Sequence, residues 1–75
     1  MAKLPRGLSG REVADALGKS GFRMTRQKGS HIVMRRDHPA ARVTIPDHRE
    51  VRVGTLAQIL RDAGIDSETF LKLLD

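Results

Sequence analysis

The sequence predicts an α+β fold, a helix, three antiparallel strands, a helix and a short C-terminal helix, with the helices on one face of the sheet. Three observations predict it. A capped amphipathic segment starts at Ser9. Between Phe22 and Pro46 the apolar residues recur at every second position. A second amphipathic segment then runs from Leu56 and ends at Gly64-Ile65 in the way the first ends at Gly21-Phe22. With 75 residues the chain makes one domain. It is read as a flexible N-terminal tail over 1–7, holding Pro5 and Gly7, and a single domain over 8–75.

Each element has its own signals. Ser9 and Glu12 form a Ser-x-x-Glu capping box, with Leu8 placed to staple onto Val13. Val13, Ala14 and Leu17 make one apolar face, Gly21 supplies a left-handed residue after the helix, and Phe22 folds back onto Leu17. In the strands, Phe22, Met24, Ile32, Met34, Val43 and Ile45 share one parity. Arg23, Thr25, His31, Val33, Arg35, Arg42 and Thr44 share the other. Such alternation places the first set inward and leaves His31 and its Arg and Thr neighbours on the uncovered face. Lys28-Gly29 turns the first strand pair, Asp37-His38-Pro39 starts the second turn, and Pro46 closes the third strand. Leu56, Ile59, Leu60 and Ala63 then keep helical spacing, with Thr55 as the expected N-cap or a boundary one or two residues earlier, and Asp66 or Ser67 caps a last helix carrying Phe70, Leu71 and Leu74.

Composition narrows the function. There is no cysteine, so disulfides, thiolate metal sites and cysteine nucleophiles drop out. No apolar run approaches the roughly 18 residues of a membrane span, and no signal-peptide core is present, so the chain reads as cytoplasmic. The net charge of +5 is concentrated: eight Lys or Arg face three Asp or Glu between Phe22 and Arg52, and elsewhere bases and acids cancel. A charge excess gathered on the sheet segment suits a polyanion. Phe22 and Phe70 are the two aromatic residues and both have core positions, so contact with RNA would rest on phosphates, shape and guanidinium planes rather than on stacking rings.

The segment Gln27-Lys28-Gly29-Ser30-His31 sets a histidine after a glycine turn, beside Arg26 and Lys28. Histidine both takes and gives protons near neutrality. RNA carries its own nucleophile in the 2′-hydroxyl, so a proton-transferring group next to cations suffices for cleavage without a metal, each acid or base contributing about 10²–10⁴-fold. His31 is the candidate catalytic residue, and Lys28 the second charge. Gly29 serves a turn that needs positive φ and can bring the backbone close to a phosphate. Ser30 completes the turn or hydrogen-bonds a phosphate, and Arg26, Arg35 and Arg42 are candidate backbone binders. Ser30 and His31 are adjacent on a strand and point to opposite faces, which excludes a hydrolase triad between them. His38 and His48 stand beside Asp37 and Asp47, but the three histidines lack metal-ligand spacing, so neither a metal nor another cofactor is expected. A non-catalytic RNA-binding module would use the same basic face, and a docking surface for an acidic protein would carry the same charge.

The chain resembles the HicA family of small toxins from Leu8 to Leu74. The resemblance rests on Ser20-Gly21-Phe22, Arg26-Gln27-Lys28-Gly29-Ser30-His31, Val43-Thr44-Ile45-Pro46-Asp47-His48, Glu50-Val51-Arg52-Val53-Gly54-Thr55-Leu56 and Ile59-Leu60-Arg61-Asp62-Ala63-Gly64-Ile65, in this order and spacing. It implies a fold like that of double-stranded-RNA-binding domains and a metal-independent endoribonuclease that cleaves messenger RNA, with His31 catalytic. It further implies a HicB-type antitoxin partner that covers the catalytic face. The turn Asp37-His38-Pro39-Ala40-Ala41 departs from the family pattern in lacking a glycine.

Overall fold

The computed structural model describes residues 3–74. The elements follow in the order α1 (Gly10–Gly18), β1 (Arg23–Lys28), β2 (His31–Asp37), β3 (Ala40–Pro46), α2 (Val53–Ala63) and α3 (Ser67–Leu73). The three strands form one antiparallel sheet in the order β1-β2-β3. This is the expected α+β architecture. Among the described residues no helix is long and apolar enough to cross a membrane.

The capping box is formed in both directions: Glu12 N donates to Ser9 Oγ at 3.1 Å and Ser9 N to Glu12 Oε1 at 3.0 Å. After α1, Gly21 takes φ +93° and Phe22 N returns to Leu17 O. Gly64 (φ +71°) ends α2, with Ile65 N on Leu60 O. Of the two candidate caps for α3, Asp66 takes the role, accepting from Thr69 N at 2.8 Å. Of the two expected starts of α2, the earlier boundary forms and the Thr55 cap does not. The helix begins at Val53, with extended Arg52 as N-cap and no side-chain cap bond. Buried Val51, whose N–H donates to Leu8 O at 2.6 Å, ties down the chain just ahead and lets the helix start at once.

Val13, Leu17, Phe22, Ile32, Met34, Val43, Ile45, Leu56, Ile59, Leu60 and Phe70 fill one core between the helices and the inner sheet face. Met24 departs from its expected burial. It lies opposite Met34 on the inner face but is 56 % exposed, because β1 is an edge strand and the groove between it and α1 stays open.

Two features position the upper end of the sheet. One is a bulge in β1: Met24 pairs with Met34, yet Arg26 pairs with Val33, so Thr25 is the extra residue and its hydroxyl donates to Val33 O. Unbroken alternation from Phe22 would send Arg26 and Lys28 inward. The bulge reverses the parity and brings both onto the outer face with His31. The other is Gly10, which is buried against the end of β3. Its N–H donates to His48 O at 2.9 Å, and a Cβ placed there would collide with the Pro46 carbonyl oxygen.

Candidate nucleic-acid interface

Register arranges the outer face in three rows. Lys28, His31 and Pro46 form the first, Arg26, Val33 and Thr44 the second, and Arg23, Arg35 and Arg42 the third. Directly paired residues have Cβ atoms about 4.5–5.5 Å apart, so Lys28 and His31 are side-by-side neighbours. Both are exposed. Val33 in the middle row is only 9 % exposed, flanked by its partners from both edge strands.

Successive residues rise about 3.4 Å along a strand, so the third row stands roughly 14 Å from the first. The structure therefore brings Lys28, Gly29 and Ser30 together with His31 and places Arg26 one row away. Arg35 and Arg42 face the same solvent but are too distant to share one phosphate with His31. They suit neighbouring phosphates on a strand that lies across the face.

Gly29 and Ser30 form the two-residue turn between β1 and β2. Gly29 has φ +58°, and no other residue type in the described chain takes a positive φ. A glycine with positive φ first in a two-residue hairpin matches the requirement of a primed turn. A Cβ on Gly29 would meet no atom within 4 Å, so the need for glycine is conformational and the space above it is open.

This turn is fixed from outside by Asp47. Asp47 N donates to Ser30 O at 2.7 Å, and Gln27 Nε2 donates to Asp47 Oδ2 at 2.9 Å. Arg11 of α1 forks onto the same carboxylate, Nε to Oδ1 and Nη2 to Oδ2, both at 3.3 Å. The Arg11 hydrogen bond, with smaller help from its charge and from Gln27, holds the Asp47 carboxyl below the usual carboxylate range. The same bond raises the Arg11 guanidinium. Helix α1 and strand β1 thus meet at the Asp47 carboxylate and the His31 turn at its backbone amide, while the sequence marks Asp47 only as the neighbour of His48.

Arginines close in sequence have different tasks. Arg36 lies over the Phe22 ring at 4.5 Å and donates to Ala63 O, Pro39 O and Ser20 Oγ. It satisfies carbonyls at the end of α2 and in the second turn and is structural. Arg23 is paired with Asp37 at 3.1 Å. His38 sits at the β2–β3 turn, at the opposite end of β2 from His31, and has no part in the same site. His48 follows the end of β3, two residues beyond Pro46, the register partner of His31. Among the described residues no three His, Cys, Asp or Glu side chains converge as a metal site would require.

A family model described as the HicA toxin of bacterial toxin–antitoxin matches residues 10–65, from the first residue of α1 through the end of α2. A comparison with curated proteins finds no match.

Proposed function

The chain belongs to the HicA family, toxins of bacterial toxin–antitoxin systems, and on that premise we propose that it is a metal-independent endoribonuclease acting on messenger RNA through His31. Membership in a toxin–antitoxin family implies an antitoxin partner. The observation that carries the nuclease reading is the outer sheet face. An exposed imidazole stands directly opposite a lysine, and two rows away three arginines stand side by side. Like charges placed opposite one another destabilise a sheet, and in this row Asp37 pairs with Arg23 alone, so the neighbouring Arg35 and Arg42 are explained by a polyanion that lies over them.

In this reading one phosphate sits above the Gly29-Ser30 turn. His31 takes the proton of the 2′-hydroxyl or delivers one to the departing 5′-oxygen. As the 2′-oxygen attacks phosphorus, the P–O5′ bond breaks and the 5′-oxygen leaves protonated. Lys28 stabilises the charge that grows on the non-bridging oxygens. Arg26, Arg35 and Arg42 hold the flanking backbone. A HicB-type antitoxin neutralises the toxin by covering this face, with acidic or hydrogen-bonding groups against His31 and the arginines.

The test is cleavage of RNA by the purified full chain in the presence of a chelator, wild type against His31→Ala. Cut products from the wild type and loss of at least about 10²-fold in the variant are expected. Cleavage that survives in the variant refutes the assignment of His31. Salt-sensitive RNA binding without any cut products in the wild type would leave a binding module instead.

A further inference from the structure

The cations of this chain fall into two kinds. Arg11, Arg23 and Arg61 are engaged by Asp47, Asp37 and Gln58, and Arg36 by backbone carbonyls and Ser20. On the sheet face, the side chains of Arg26, Lys28, Arg35 and Arg42 have no hydrogen bond or ion pair among the described residues. The same holds for Lys3, Arg6 and Arg52, which lie outside that face.

These three stand around a cleft of about 490 Å³, with Lys3, Leu4 and Arg6 on one side and Glu50, Arg52 and Val53 on the other. Leu4 packs against the core, and the bond from Val51 N to Leu8 O joins the two segments that carry the walls. The cleft is also near the candidate reaction centre along the chain. Pro46 is the register partner of His31, and Arg52 follows it by six residues, a span of no more than about 20 Å.

We infer that this cleft is a second binding site for the sugar–phosphate backbone of RNA, and that it receives the strand as it leaves the His31 turn. Three cations that form no ion pair line a concave surface with a single carboxylate, Glu50, among them, so the cleft keeps an excess of positive charge that phosphate relieves. Glu50 gives the cleft one acceptor for ribose hydroxyls, and Leu4 and Val53 give it an apolar floor for a sugar or base. That mixture fits a ribonucleotide strand better than a bare anion. The identity of the strand as RNA rests on the nuclease reading; the convergence of free cations does not.

The experiment measures binding of a fluorescent single-stranded oligoribonucleotide to the full chain carrying His31→Ala, over a range of salt. Arg6→Ala with Arg52→Ala is compared with a charge-matched control, Arg61→Ala with Lys72→Ala. Each phosphate contact on a single strand contributes about 0.7 to the slope of log K against log salt, so the cleft variant is expected to lose roughly 1.4 from that slope and the control nothing. An unchanged slope in the cleft variant overturns the inference. So does a variant that keeps the slope but no longer copurifies with the antitoxin, which would assign the cleft to protein contact. The two readings fail separately: if the chain with His31 intact cuts RNA under chelator while the slopes match, the cleft alone is lost. If it neither binds nor cuts, both are lost.

Discussion

Replacing Gly10 by alanine should damage both the fold and the proposed reaction centre. An added Cβ would lie on top of the Pro46 carbonyl oxygen and 3.0 Å from Asp47 Cα, and neither is the movable end of a side chain. Helix α1 has to withdraw from the end of β3. Overpacking of this kind costs about 1–3 kcal/mol. The withdrawal also strains the bond from Gly10 N to His48 O, whose loss costs about 0.5–1.5 kcal/mol. Reduced freedom of the unfolded chain returns at most about 1 kcal/mol. At the middle of these ranges the net loss is about 2–3 kcal/mol, against a total stability of roughly 4–11 kcal/mol for a domain of this length. At about 4–8 °C per kcal/mol, Tm should fall by about 8–24 °C. Urea unfolding followed by circular dichroism should show a lower midpoint with an unchanged slope. Because Pro46 is paired with His31 and Asp47 holds the Gln27–Ser30 turn, RNA cleavage should also fall under conditions where the variant is folded. A midpoint equal to that of the wild type would refute the reasoning, since the collision would then have been absorbed without cost.

Three further outcomes are expected. Gly54→Ala, where an added methyl meets nothing within 4 Å near the start of α2, should stabilise by about 0.4–1 kcal/mol in the same urea assay, the opposite sign for the same substitution. Arg36→Met should cost about 1.5–3 kcal/mol through its lost bonds to Ala63 O and Pro39 O, while Arg35→Ala should leave the urea midpoint within about 0.5 kcal/mol and weaken RNA binding. Asp47 has a depressed carboxyl pKa, so its contribution to stability is present above the ordinary Asp value of about 3.9 and is lost as pH falls through the depressed one. Asp47→Asn should therefore lower the urea midpoint at pH 7 and flatten its decline in acid; an unchanged pH dependence would show that the Arg11 fork carries no linkage.

The two helix–glycine–hydrophobe endings, at Gly21-Phe22 and Gly64-Ile65, were legible because each requires one residue free to adopt positive φ followed by one apolar residue, and both signals are local. The period-two pattern likewise identified the inner face from Ile32, Met34, Val43 and Ile45. What stayed hidden depends on contacts between distant parts of the chain. The bulge at Thr25 is seen only against the register of β2, and without it Arg26 and Lys28 would have the wrong parity. Gly10 looks like an ordinary first helical residue until Pro46 is set beside it. Arg35 and Arg36 are indistinguishable as charges, and only the Phe22 ring and the end of α2 separate a face residue from a structural one. Lys3 and Arg6 were cancelled by acids in a sum over sequence, although space puts them with Arg52 around one cleft. Of the candidate site, the His31 turn followed from its own five residues, while Asp47 follows only from the convergence of α1, β1 and the loop after β3.

The division of cations into engaged and free ones links stability to binding. Every Arg that helps hold the fold together has its acceptor inside the chain, so binding of a polyanion need not disturb it. The free set repels itself in the unbound state, and a domain this small has little stability with which to offset that repulsion. A partner that supplies negative charge to these side chains relieves a cost as well as making contacts. It binds the folded form alone and so stabilises it by RT ln(1 + [L]/Kd). RNA and an acidic antitoxin surface would then compete for the same unneutralised arginines, and each would raise Tm. Neither should do so through Arg11 and Arg23, which are paired with Asp47 and Asp37, or through Arg36, whose donors are engaged by carbonyls within the chain. On the proposed reading, an antitoxin that covers this face would match the free cations and the His31 turn, not the whole positive charge of the protein.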